Sequence, residues 1–132
     1  MTEHALHKTV AEERATFEAV LPFPPSVNGL YTNVPGKGRV RTAAYRRWAT
    51  AAGWEINRVR RGEPIIGPVS IGIDVRRKDR RKRDLDNLAK GVIDLLVKMG
   101  VIADDRQVDE LHMRWVDHAN FEGALVWVVR SA

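Results

Sequence analysis

The chain has 132 residues, 44% of them hydrophobic, and no cysteine. That is enough for one packed domain and rules out thiolate zinc sites, cysteine nucleophiles and disulfide frameworks. Twenty-two Lys and Arg against 17 Asp and Glu leave a net charge of +5. No apolar run approaches the roughly 18 residues of a membrane span. The acidic N-terminus, with Glu3, Glu12, Glu13 and Glu18, holds no apolar signal core, so the expectation is a cytoplasmic protein with no membrane partner.

Residues 1–15 read as an extension and 16–132 as a single domain. Weak helical spacing over His4 to Glu18 gives way to alternation over Thr16 to Leu21, a strand that Pro22, Pro24 and Pro25 end. Ser26 to Arg41 is loop and hairpin, with Pro35-Gly36 and Gly38 as turn signals and a small basic patch of Lys37, Arg39 and Arg41 beside Tyr31. Thr42 is placed to cap a helix running from Ala43 to about Arg60, with Tyr45, Trp48, Ala52, Ile56 and Val59 as its apolar stripe. Val69 to Arg76 is the clearest strand, with Val69, Ile71, Ile73 and Val75 alternating with Ser70, Gly72, Asp74 and Arg76. A second helix is expected from Leu85 to Met99, stopped by Gly100. Strands over Glu110 to Val116 and Ala124 to Arg130, joined by a turn near Asn120 and Gly123, read as a hairpin. The fold class is therefore α+β, a mixed sheet with helices packed on it.

The positive charge is concentrated. Arg76, Arg77, Lys78, Arg80, Arg81, Lys82 and Arg83, with Asp79 among them, form a segment of net +6, which leaves the remaining chain net −1. A local excess of this size matches an anionic partner, nucleic acid first among them, against the alternative of a solvated loop. A carboxylate pair follows immediately. On a continuous helix with Asp86 at 0°, Lys90 falls near 40° and Asp94 near 80°, opposite an apolar stripe at about 180–280°. Asp84 or Asp86 could instead cap the helix, and Asp86–Lys90 and Asp94–Lys98 could be ordinary i,i+4 pairs. A second acidic pair, Asp104-Asp105, comes about 20 residues later. Carboxylates beside cations suit Mg²⁺-assisted phosphodiester hydrolysis, in which the metal polarises the phosphate and acidifies a water. A nearby lysine can offset transition-state charge. The four histidines, His4, His7, His112 and His118, read as solvent-exposed. Trp48, Trp54, Trp115 and Trp127 read as filling or edging the core, with Trp54 off the helix stripe. Tyr31 is the candidate for base or sugar contact.

Three blocks resemble the RusA family of Holliday-junction resolvases: Pro24-Pro25-Ser26-Val27-Asn28; Arg83-Asp84-Leu85-Asp86-Asn87 with Lys90 and Asp94; and Gly100-Val101-Ile102 followed by Asp104-Asp105, Gln107 and Val108. The resemblance implies a homodimer that uses Mg²⁺, with Mn²⁺ as a substitute, to nick four-way DNA junctions symmetrically in recombination and repair. It places catalysis on Asp84, Asp86, Asp105 and Lys90, the metal on the three aspartates, and accessory roles on Asp104, Asn28 and Asn87. DNA contacts are expected from Arg76 through Arg83 and from Lys37 and Arg39. Rival readings are a DNA-binding module without catalysis and a Mg²⁺ nuclease for flaps, forks or other branched nucleic acid.

Overall fold

The structure, a computed structural model, describes residues 16–60 and 62–131. The extension, and all of its expected helix except Thr16 to Glu18, lies outside them. Those three residues instead lead into strand β1, Phe17–Leu21. Strands β2 (Tyr31–Val34) and β3 (Gly38–Arg41) form the anticipated hairpin, with Tyr31 opposite Arg41. Its turn is closed by the Lys37 amide donating to Val34 O at 3.0 Å. Gly36 and Gly38 take φ of 78° and 76°, a region closed to most side chains.

Helix α1, Ala43–Val59, begins where Thr42 predicts it. The Thr42 hydroxyl accepts from the Tyr45 amide at 3.0 Å and donates to Gly29 O at 2.6 Å, so one residue caps the helix and fastens it to the preceding loop. Tyr45, Trp48, Ala52 and Ile56 are buried as expected, while Val59, the last residue of the helix, is 39% exposed.

Strand β4, Val69–Val75, lies where alternation predicts a strand, and all seven of its residues are buried. Val69, Ile71, Ile73 and Val75 join the main core. On the other face, Trp127 lies over Gly72 so closely that a Cβ there would collide with its ring. The buried Asp74 accepts two bonds from Arg114, at 2.9 and 3.0 Å. A pattern of small and polar residues therefore marks a strand covered on both sides.

The second helix is split. Leu85–Leu88 is a 3₁₀ turn, and the α-helix α2 covers Ala89–Lys98, ending at Gly100 (φ 74°). Strands β5 (Val108–Trp115) and β6 (Ala124–Arg130) complete a sheet of order β1-β6-β4-β5. The expected β5–β6 hairpin does not form. β6 runs antiparallel between β1 and β4, and β5 pairs parallel to β4 on its other side. The connection after Trp115 is too long for a tight turn and crosses the end of β4. There Val116 N donates to Val75 O and Arg76 N donates to Gly123 O, both at 2.9 Å. The parallel pair is reached through α2, the crossover such pairs require. The result is the mixed α+β sheet expected from the order of elements, and among the described residues no helix is long and apolar enough to cross a membrane.

Candidate active site

The candidate site is built where the chain leaves β4. Arg76 donates to Phe121 O at 3.2 Å and pairs with Glu122 at 3.1 Å. Arg77 pairs with Asp117 at 3.0 Å and lies over the Trp115 ring, 4.4 Å from its centroid. Both arginines therefore lock the start of the basic segment onto the β5–β6 connection. Asp79 then folds the segment on itself. It accepts from the Arg83 guanidinium at 2.6 and 3.0 Å and from the Arg81 amide at 2.9 Å. The Arg83 bonds first, then that of the Arg81 amide, hold the Asp79 carboxyl well below the usual carboxylate range. Lys78 and Arg83 both approach the Phe23 ring, at 4.6 and 5.3 Å. Arg80, Arg81 and Lys82 are exposed and pair their side chains with no described residue. Within a uniformly basic stretch, four cations thus serve the scaffold and three face outward.

Asp84 and Asp86 follow at the 3₁₀ turn, both exposed. Asp84 occupies the N-cap position, yet its side chain makes no capping bond, so the capping alternative fails for this residue. Lys90 pairs with Asp94 at 3.3 Å rather than with Asp86. Asp94 is not on an open face: its side chain is 16% exposed and also holds Arg41 at 2.9 Å. Asp84 and Asp86 are left with no hydrogen bond or ion pair to any described side chain. Asp84 and the half-buried Asn87 border a recess of about 330 Å³ shared with Phe23, Ser26, Lys78 and Arg81. The first motif is brought against the second: Gly91 of α2 packs closely on Leu30 and Pro25, where a Cβ would lie 3.2 and 3.4 Å away. Asn28 is exposed on the adjoining turn, Val27–Gly29.

The third motif forms its own turn, Asp105–Gln107, which contacts α2. Asp104 caps it, accepting from the Arg106 amide at 2.8 Å and from the Arg106 guanidinium at 3.2 and 3.1 Å. Those Arg106 bonds, with a smaller contribution from Asp105, hold Asp104 well below the usual carboxylate range. Asp105 itself is exposed. Asp84 and Asp86 precede α2 while Asp104 and Asp105 follow it, and among the described residues no three acidic or imidazole side chains gather into a metal cage. Mg²⁺ does not require such a cage. One or two carboxylates usually suffice, with water and substrate phosphate completing its shell. Two exposed, uncommitted aspartates two residues apart fit that donor set.

Two residues carry more of this region than their sequence context suggested. Phe23, between two prolines just before the first motif, is the surface on which Lys78 and Arg83 rest. Arg41 links the hairpin to the site through Asp94. Its guanidinium lies 4.3 Å from the Tyr31 centroid and 4.2 Å from that of Tyr45. Arg39 takes Tyr31 at 3.9 Å, so the ring expected to meet a base is already engaged by two arginines. Lys37 is exposed at the hairpin tip.

Residues 22–126 match the family model described as Endodeoxyribonuclease RusA. The chain belongs to the RusA family. Among its relatives, a crossover junction endodeoxyribonuclease RusA of Aquifex aeolicus is 32% identical over 101 residues, covering 76% of this chain and 79% of that protein. The RusA of Enterobacteria phage 82 is 38% identical over 99 residues, covering 70% and 77%. That of Escherichia coli K12 is 37% identical over 93 residues, again covering 70% and 77%. The RusA match spans the recess, the basic segment, both acidic pairs and the whole of α2.

Proposed function

We propose that this chain is a Mg²⁺-dependent endodeoxyribonuclease, with Mn²⁺ as a substitute, that resolves four-way DNA junctions by paired symmetric nicks. The observation that carries this reading is the exposed pair Asp84 and Asp86, with no side-chain partner among the described residues, at the end of a cationic segment. These carboxylates would hold the metal, with Asp105 as the third acidic group. A divalent cation bound there supplies charge to the phosphate oxygens and lowers the pKa of the attacking water. Arg80, Arg81 and Lys82 grip backbone phosphates, helped by Lys37 and Arg39 at the hairpin. Lys90, held by Asp94, offsets charge on the phosphate. Asn87, on the recess, and Asn28, on the adjoining turn, take accessory roles. Two symmetry-related strands must be cut, so the working unit is a homodimer with one site per protomer. The setting is the cytoplasm, where such DNA is found.

The test is cleavage of a labelled four-way junction and a linear duplex of the same sequence, in Mg²⁺ and in EDTA. Paired nicks are expected in the junction alone, and only with Mg²⁺. Asp84→Asn should slow cutting roughly 100-fold or more while preserving junction binding, because loss of a metal ligand removes several kcal/mol of transition-state stabilisation. Cutting at the parent rate by Asp84→Asn would sink the site assignment. Binding with no cutting in either metal would leave a DNA-binding module instead.

A further inference from the structure

A second feature lies on the far side of Lys90 and Asp94. α1 and α2 are separated by a cleft of about 530 Å³, of a size to accept one nucleotide. Its floor is apolar, formed by Ala49, Leu95 and Met99, with Gly53 contributing no side chain. Its wall is Trp54, which is 69% exposed and is the only aromatic among the exposed large apolar side chains of the described residues. That exposure overturns the expectation that all four tryptophans serve the core. The rim carries Arg46 and Lys98, both exposed and neither in an ion pair with a described residue. Asn57 adds an amide that can donate to and accept from a base edge. Asp94 closes the inner end, but its carboxylate is already held by Arg41 and Lys90 at 2.9 and 3.3 Å. The cleft therefore starts beside Lys90 and presents net positive charge.

An apolar floor, one exposed indole and flanking cations match an unstacked nucleotide: the base stacks and the phosphate is neutralised. A second copy of the chain fits less well. It would have to face Arg46 and Lys98, and the one acidic group lining the cleft is already paired. We propose that the α1–α2 cleft is a second nucleic-acid subsite that takes one unpaired nucleotide of the DNA, its base against Trp54 and its phosphate between Arg46 and Lys98. The proposal rests on the reading of the chain as a DNA-cutting enzyme and extends it to a preference for unstacked strands.

The experiment is titration of the full chain in EDTA with oligothymidylate and, separately, with a linear duplex, following tryptophan emission and the anisotropy of a labelled strand. Oligothymidylate should quench the emission of the parent. Trp54→Ala should abolish that quenching and weaken oligothymidylate binding about tenfold, as loss of one base–aromatic stack does. Trp54→Phe should keep most of the affinity, and duplex binding should change little in either variant. Arg46→Gln with Lys98→Gln should weaken oligothymidylate binding and flatten its salt dependence. Unchanged oligothymidylate affinity in Trp54→Ala would overturn the proposal, as would an equal loss on duplex. A shift from dimer to monomer in sedimentation of Trp54→Ala would assign the cleft to self-association instead. Because binding is read without metal, a protein that never cuts but binds oligothymidylate through Trp54 would refute the nuclease reading alone. One that binds no DNA would refute both.

Discussion

Gln107 allows the third motif to be tested apart from catalysis. Its carbonyl oxygen accepts from the amides of Ala103 and Asp104 at 2.7 and 2.9 Å, and its NH₂ donates to Ile65 O and Gly67 O at 2.8 and 2.9 Å. One half-buried side chain thus closes the cap of the Asp105–Gln107 turn and ties it to the loop before β4, beside the bridge between Ile65 and Ile102. Gln107→Leu keeps the approximate volume and removes all four bonds, leaving two N–H and two C=O groups to find water. At about 1 kcal/mol net per bond, less where water can replace the partner, the loss is about 2–4 kcal/mol. For a domain of this size that lowers Tm by about 10 °C. Thermal and urea unfolding followed by tryptophan emission read the loss, and amide exchange at Ala103 and Asp104 locates it. A Tm within about 2 °C of the parent, with both amides still protected, would show that the turn is held by something else. Since Asp105 sits on this turn, Gln107→Leu should also slow junction cutting while leaving Asp84 and Asp86 in place.

Two further outcomes follow from the same geometry. Replacing Arg80, Arg81 and Lys82 together by Gln should leave thermal stability unchanged and flatten the log–log salt dependence of duplex binding by about 2.7, at about 0.9 per phosphate contact; an unaltered slope would remove these three side chains from the DNA interface. Carbon-detected titration of Asp104 should give a pKa below the model-peptide value of about 3.9, and Arg106→Gln should bring it back toward that value. Because the folded-state pKa is the lowered one, the stabilisation from this cap is complete above about pH 4 and is lost as pH falls further; an Asp104 titration indifferent to Arg106→Gln would refute the assignment of its cause.

Much of the molecule was legible because local signals and tertiary packing agree. The Thr42 cap, the glycine turn of the β2–β3 hairpin and the proline stop after Leu21 each depend on neighbours in sequence, and each appears where expected. The failures share a different origin. The alternation of β4 was sound, but burial of its second face depends on Trp127 lying over Gly72 and on Arg114 meeting Asp74, partners remote in sequence. The β5–β6 hairpin failed because two adjacent strands with a long connection can each pair with a third strand between them, and no local pattern reports that choice. Asp94 was misplaced because the helical wheel assumed that the face away from the core meets solvent, whereas the hairpin delivers Arg41 to it. The division of labour within the basic segment was not legible, since seven similar cations look alike until their partners are known.

That division explains how the fold can present a charged site at all. β4 is central, with β6 on one side and β5 on the other and both faces covered, and the basic segment follows at its C-terminal end. A bare run of cations there would repel itself and stay extended. Instead Arg76 and Arg77 are pinned to the connection that crosses the end of β4, and Asp79 supplies the internal counter-ion that turns the chain back through Arg83. What remains outward is Arg80, Arg81 and Lys82, whose side chains pair with no described residue, followed directly by Asp84 and Asp86, whose side chains pair with none either. Arg76, Arg77, Asp79 and Arg83 are paired within the protein, and the uncommitted charges of this segment stand together beside one exposed turn. Cations beside uncommitted carboxylate oxygens are the groups that the proposed reaction uses.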